Sequence, residues 1–483
     1  MNPGRKFKLY TIKNEDKDDI FVSDKTNRYC DDNFFTLITG VNGCGKSSLL
    51  TKAVNSFIFH GRKDDVLVDN NSIDTPSRVI AICNSRYNRF PLRETFLRKG
   101  AQKNSDYYIQ VNHNQEIGAS VLSIVSQCLR ELIKKPLNNQ VVRLDDVRSA
   151  YKMIGINPFL LINLKFNDEA KKAYETLLDI QRSKKGTRIS SELNDYYKKF
   201  LSENENLILK PDVINILQEY ENIVRLPQLY LDIEKRKITF DGATSENEYN
   251  IKQALLLGLI VPSEIQVQRT KESRWVSNHH LSSGQQTLLT TALLLDIFTI
   301  NNSLICIDEP ENSLHPAWQL DFMKFVDQLC KWNKGCHFLI ATHSPQIISG
   351  LKSENGCIVT LKNNDHRISI KNKFDSVNRL ENSFSNKSQS FHNVKNYRGQ
   401  SADRQLAEIF ETPGFRNDYV IHRLLMILSR LVKGTGLNRN DEPFIEMVKK
   451  FVKFNDIDES DPVNIIYNQI KGVVFANKKD SKK

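Results

Sequence analysis

Residues 34–50 read FFTLITGVNGCGKSSLL, and the fold is decided there. The run FFTLIT is aromatic, apolar and β-branched, the composition of a buried strand. Three glycines follow, Gly40, Gly43 and Gly45, then Lys46, Ser47 and the start of a helix in SSLL. Gly40, Gly45, Lys46 and Ser47 match the phosphate-cradling pattern G-x-x-x-x-G-K-[ST]. Glycines let the backbone turn tightly enough for several N–H groups to point at one anion, and the following helix adds the positive end of its dipole. Lys46 is placed to reach the β- and γ-phosphates of a nucleotide, and the Ser47 hydroxyl to hold Mg²⁺. A chance glycine turn would need neither the apolar run before it nor the helix start after it.

Three later stretches carry further chemistry. SLICIDE at 303–309 is a short apolar strand ending in two carboxylates, Asp308 for the Mg²⁺ shell and Glu309 for the attacking water. LSSGQQ at 281–286 precedes the apolar run TLLTTALLLDIF and offers Ser282, Ser283, Gly284 and Gln285 at a helix N-terminus, where an anion is favoured. An ordinary serine cap has the same letters. FLIATHSP at 338–345 is a strand ending in His343, with a structural hydrogen bond as the alternative role.

The order of these stretches resembles the ABC ATPases, and within them the soluble SMC, RecF and OLD-like branch. The text DEPENSLHPAWQ at 308–319 and ATHSPQII at 341–348 carries that likeness. The resemblance implies a P-loop NTPase α/β head with an N-terminal antiparallel β-subdomain, a helical insertion and a C-terminal helical module. It implies ATP and Mg²⁺ as cofactors. ATP would be held by Gly40, Asn42, Gly43, Cys44, Gly45, Lys46, Ser47 and Ser48, and the metal by Ser47 and Asp308. Glu309, His343 and Lys46 would be catalytic, as water-polarising base, γ-phosphate sensor and charge stabiliser. In this family Ser282, Ser283, Gly284 and Gln285 would contact ATP held by a second subunit, so one copy of each motif implies a homodimer or a higher even oligomer. His315 either reports across that dimer or packs a turn. RVIAICNSRYNRFPLRE at 78–94 reads as a buried strand followed by a basic turn; transporter-type relatives carry a glutamine loop after the equivalent strand, and here the sequence is Cys83-Asn84-Ser85, with Asn84 or Ser85 as the candidates for that role.

At 483 residues the chain holds more than one lobe. Charged residues make up 26% and apolar ones 40%, an ordinary balance for a water-exposed globular protein. No apolar run approaches the length of a membrane span, and the N-terminal MNPGRKFK is no signal peptide, so a cytoplasmic protein without membrane contact is expected. The eight cysteines are scattered without zinc spacing, as free thiols in a reducing compartment would be. A net charge of +11 favours polyanionic partners. The arginines at 86, 89, 93 and 98 form either a contact surface or a solvated basic face.

Four segments are expected: 1–135, the first half of the head; 136–265, the helical insertion; 266–375, the second half; and 376–483, a helical module with a basic, disordered tail. Within them, 5–39 alternates like a small antiparallel sheet. ASVLSIVSQCLRELIK (119–134), YETLLDIQRSKK, ELNDYYKKFLSENENL and VINILQEYENIVRL have helical spacing, without heptads long enough for a coiled coil. QALLLGLIVP (253–262) reads as a core helix, 352–390 as closing strands and a loop, and 400–434 as two helices about Pro413 and Gly414.

Two functions compete. The short RecF- and OLD-like ATPases, such as the PtuA type of Septu and retron systems, imply a sensor in prokaryotic anti-phage defence. It would control a separate effector, a nuclease of the HNH type, alongside a reverse transcriptase with its nucleic acid if retron-associated. No nuclease pattern is visible in this chain. The alternative is a RecF- or SMC-like repair ATPase in direct contact with DNA. A transporter subunit fits poorly, lacking the glutamine loop.

Overall fold

A computed structural model describes residues 6–14, 18–23, 32–59, 65–68, 73–85, 88–92, 95–96, 106–112, 117–134, 144–168, 226–271, 274–351, 355–361, 389–397, 400–410, 414–438, 440–454, 458 and 460–480. The chain begins with β1 (Leu9–Lys13) and β2 (Asp19–Phe21), then β3 (Phe34–Gly40), helix α1 (Lys46–Ile58) and β4 (Val66–Val68). Both β2 and β4 pair antiparallel with β1. This is the small antiparallel sheet that the alternation over 5–39 predicts, completed by a strand from beyond α1. Next come β5 (Val79–Cys83), β6 (Tyr108–Asn112), α2 (Ile117–Lys134), as its spacing predicts, and α3 (Leu144–Ile154).

The expected helical insertion is corrected here. After α3 the chain forms β7 (Ile156–Phe166), β8 (Leu229–Asp232), β9 (Lys237–Phe240), α4 (Ser245–Leu257), β10 (Ile260–Arg269) and β11 (Trp275–Ser277). These five strands make one antiparallel sheet, ordered β11-β10-β7-β8-β9. β7 begins with alternating buried and half-buried residues, which is strand period, masked in the sequence by the unbroken apolar run from Phe159 to Ile162. QALLLGLIVP is not one helix: α4 stops at Gly258, whose φ of 74° closes it, and LIVP opens β10. The boundary placed at 265 therefore falls inside a strand. The three helices expected between 174 and 226 lie outside the described residues.

The head then runs through α5 (Ser283–Phe298), β12 (Leu304–Asp308), α6 (Pro316–Cys330), β13 (His337–Ala341), α7 (Pro345–Gly350), β14 (Gly356–Leu361) and β15 (Gln389–Asn393). A seven-stranded sheet, ordered β15-β14-β3-β13-β12-β5-β6, is parallel except for β15. Since β15 belongs to it, the head extends past the boundary placed at 375. Alternate residues of these strands enter two cores. Phe35, Leu37, Ile305, Ile307, Phe338 and Ile340 pack with α2 and α5, while Phe34, Ile38, Leu304, Cys306, Leu339 and Ala341 pack with α1 and the small sheet. Burial on both faces explains why these strands read as unbroken apolar runs.

Helix α8 (Val394–Tyr397) leads to four more: α9 (Ala402–Glu408), α10 (Asp418–Val432), α11 (Asp441–Phe454) and α12 (Pro462–Asp480). Ala407, Leu424, Ile427, Phe444, Val448 and Ile470 give them a core of their own, the expected C-terminal helical module. α12 runs to Asp480, and residues 481–483 of the basic tail lie outside the described residues. Of the seven cysteines among the described residues, all are buried except Cys44, which is half-buried. No described helix is long and apolar enough to cross a membrane.

Candidate active site

The site lies where parallel strands end. Register aligns Asp308 with Cys83 on one side and Ala341 on the other, and Ala341 with Ile38. The residues that follow these positions therefore emerge together: the glycine loop after β3, Asn84 after β5, Glu309 after β12, and Thr342 and His343 after β13. The carboxyl edge of a parallel sheet is where open α/β folds hold ligands.

The loop is shaped by glycine where glycine is required. Gly40 has φ 143°, and a Cβ there would meet the Leu361 carbonyl at 2.6 Å. Gly45 caps α1 with φ 94°, and a Cβ on it meets nothing within 4 Å, so its requirement is conformational and the space in front stays open. Lys46 folds back over the loop and donates to the Gly40 and Val41 carbonyls at 3.0 and 3.1 Å. Burial lowers its pKa, while Cys44, Glu309 and Asp308 oppose that shift. All three acidic groups thus lie within electrostatic reach of the ammonium.

Burial pushes the Asp308 carboxyl up to about 6; a hydrogen bond from Ser47 pulls it down, Glu309 pushes it up, and Lys46 and Arg89 favour its charged form. Its Oδ1 is buried with no hydrogen-bond partner among the described residues. A buried, partnerless carboxylate oxygen beside a serine hydroxyl is a donor set suited to a hard divalent cation, so Ser47 and Asp308 fit Mg²⁺. Glu309 sits at φ 51°, a left-handed conformation that costs a non-glycine residue energy and recurs at functional sites. Its N–H donates to the Ala341 carbonyl at 2.9 Å, and its Oε2 accepts from Asn312 at 2.8 Å. Burial lowers the pKa of His343, Lys46 lowers it further and Glu309 raises it. At neutral pH this imidazole is uncharged.

Asn84 follows β5 at the same sheet edge. Its N–H donates to the Asp308 carbonyl at 3.1 Å, and both polar atoms of its side chain are buried with no hydrogen-bond partner among the described residues. Arg89 donates to Ser48 Oγ at 2.6 Å. Arginines 86, 93 and 98 lie outside the described residues. His315 caps α6, its Nδ1 accepting from the Ala317 N–H, which is the turn role.

Ser282, Ser283, Gly284 and Gln285 stand apart from this cluster. Ser282 and Gln285 form a reciprocal capping box at the start of α5, and Gln285 donates to the Ile154 carbonyl at 2.9 Å. Gly284 is buried, and a Cβ on it would meet the Ser313 carbonyl at 2.6 Å and Trp318 at 2.9 Å. Ser282 and Ser283 remain exposed at the helix head. Among the described residues, no hydrogen bond links this stretch to Lys46, Asp308, Glu309 or His343.

Two residues that the sequence motifs did not single out, Glu311 and Asn312, also shape the site. Asn312 holds Glu309, and Glu311 accepts from the Thr342 hydroxyl at 2.8 Å and the His343 N–H at 2.6 Å. The one hint was their place in the turn DEPEN, between a strand and a helix.

A glycine loop, a lysine and a paired carboxylate at the carboxyl edge of a parallel sheet define a P-loop ATPase of the AAA/ABC type. Residues 35–349, well over half of the chain, match the family described as "AAA domain, putative AbiEii toxin, Type IV TA system". The chain belongs to that family. It is similar to "Retron Ec83 probable ATPase" of Escherichia coli, 26% identical over 190 residues that cover 35% of this chain and 32% of that protein. The chain thus matches about a third of that relative's length. Among solved structures, similarity at 13% identity is found to the Smc head domain with an extended coiled coil from Pyrococcus furiosus, bound to the C-terminal domain of ScpA (TM-score 0.27; 74% of this chain, 93% of that one). Similarity at 14% identity is found to the recombination mediator RecF (TM-score 0.24; 74% and 97%). The family implies ATP with a divalent cation.

Proposed function

We propose that this chain binds and hydrolyses ATP as the sensor and regulator of a separate effector in prokaryotic anti-phage defence. The observation that carries the ATPase reading is the convergence of Lys46, Asp308, Glu309 and His343 at one sheet edge, close enough for each to feel another's charge. Lys46 stabilises charge growing on the phosphate oxygens. Ser47 and Asp308 hold Mg²⁺, which supplies charge neutralisation on the polyphosphate. Glu309 orients and polarises the attacking water, and neutral His343 donates to the γ-phosphate. Support for the defence setting comes from the family's description and from the retron-associated relative. The effector is a nuclease of the HNH type on another chain.

The second subunit is a copy of this chain, whose exposed Ser282 and Ser283 close on the γ-phosphate. The experiment is the solution mass of Glu309→Gln with and without Mg-ATP. An ATP-dependent step to a dimer or its multiple supports the reading; a monomer in both states removes the shared site. The RecF- or SMC-like alternative draws on the net charge of +11 and calls for direct binding of bare DNA with a steep salt dependence.

A further inference from the structure

We infer that Glu311 is a positioning residue that sets the main chain of His343 against the turn carrying Glu309. The inference rests on the ATPase reading above. Glu311 stands two residues beyond Glu309, in the turn between β12 and α6. Its carboxylate crosses to the end of β13, where Oε1 accepts the His343 N–H at 2.6 Å and Oε2 accepts the Thr342 hydroxyl at 2.8 Å.

The connection closes on itself. Thr342 Oγ1 accepts the Ser344 N–H at 3.0 Å, and the Ser344 hydroxyl donates to Gln319 Oε1 at 2.7 Å. Gln319 Nε2 donates to the Leu314 carbonyl at 2.9 Å, and the Leu314 N–H returns to the Glu311 carbonyl at 3.0 Å. His343 therefore cannot shift against the turn without breaking a bond to the Glu311 carboxylate.

Glu311 is an expensive choice for mere packing. Burial raises its pKa, the bonds from His343, its own N–H and Thr342 oppose that rise, and the neighbouring charge acting on it is another carboxylate, Glu309. A half-buried acid held by donors on the segment carrying a sensor residue links two parts of one site. Hydrogen bonds to an ionised acceptor are roughly twice as strong as neutral ones, which suits a joint that must keep its length during turnover.

The test uses the full chain with Mg-ATP. ATP affinity is measured by equilibrium binding, and turnover by phosphate release, for Glu311→Ala, Glu311→Gln and the control Glu309→Gln. Glu311→Ala is expected to lose kcat by about 10²-fold, the cost of a misplacement near 1 Å, with Kd for ATP within about twofold of the parent. Glu311→Gln retains an oxygen for the His343 N–H but not the charge, and falls between the two in kcat with Kd unchanged. The inference is overturned if Glu311→Ala keeps parental kcat, or if its affinity falls in step with kcat. Should Glu311→Ala not fold, Glu311→Gln decides: reduced kcat with intact Kd supports the inference, and parental kcat or weakened binding overturns it. If Glu309→Gln turns over like the parent, the ATPase reading itself fails. If Glu309→Gln is inactive while Glu311→Ala is not, only this inference fails.

Discussion

Asn312 donates its side-chain N–H to Glu309 Oε2 across 2.8 Å, and the same nitrogen reaches the Asn84 carbonyl at 3.3 Å. One amide therefore ties the candidate base to the strand end beside it. A hydrogen bond to a charged group contributes about 1.5–3 kcal/mol, so Asn312→Ala should slow ATP turnover by about tenfold or more. ATP affinity should not change, because the side chain of Asn312 bonds to Glu309 and the Asn84 carbonyl and not to the glycine loop or Lys46. Asn312→Asp sets a second carboxylate against Glu309 and should be worse than alanine. Turnover and nucleotide binding measured side by side check both statements.

Gly284 has no room for a side chain. Its Cβ position is 2.6 Å from the Ser313 carbonyl and 2.9 Å from Trp318. Gly284→Ala must push α5 away from the turn after β12, at a cost of about 1–3 kcal/mol. A lowered urea midpoint in the absence of nucleotide is the expected result. An unchanged midpoint would mean that this glycine serves only a contact outside the chain.

His337 is buried inside β13, and its burial, with Lys8 nearby, lowers its pKa to about 3. Nδ1 accepts the Leu9 N–H at 3.0 Å, so the proton sits on Nε2, which donates to Thr36 Oγ1 at 2.9 Å. The Thr36 hydroxyl donates in turn to the Val22 carbonyl. This relay joins the small sheet to the central one. The folded pKa lies below the ordinary value near 6.5, so the unfolded chain binds the extra proton first. The neutral imidazole's contribution is complete above about pH 6.5 and is lost as pH falls from there toward 3. Urea midpoints of the parent should drop from pH 7 to pH 5, and the gap to His337→Phe should narrow over the same range.

Arg78 and Glu131 form a buried ion pair at 2.9 Å, and Arg78 also donates to the Phe298 carbonyl at 2.8 Å. These contacts bind α2, α5 and the start of β5 together. Arg78→Ala takes the cation from beside a buried acid and should cost about 3–5 kcal/mol. Replacing both partners by apolar residues of similar volume should restore most of that loss. Denaturant titration of the single and double variants separates the two outcomes.

Much of the site was legible because its letters are local. Gly40, Lys46 and Ser47 lie within eight residues, and the runs before Asp308 and His343 are short and apolar, as strands buried on both faces must be. The misreadings have a common cause. In INPFLLINLKF the unbroken run from Phe159 to Ile162 places apolar residues on both faces, so period 2 does not stand out, and QALLLGLIVP hides a helix end and a strand start around Gly258. The burial of Gly284 was invisible, since it depends on what the turn after β12 places nearby.

By itself the sequence determined the strand–loop–helix around Gly40, the chemistry of its lysine and hydroxyl, and the order of the motifs that mark an ATPase. These follow from spacing along the chain, which backbone geometry converts directly into shape. Tertiary structure alone decided that residues 156–277 contribute a five-stranded antiparallel sheet, that Asn312 holds Glu309, and that Glu311 holds His343. The physical reason is the same throughout: strand pairing and side-chain bonds join segments with no periodic relation in sequence, so the partner exists only once the sheet has brought the strand ends together.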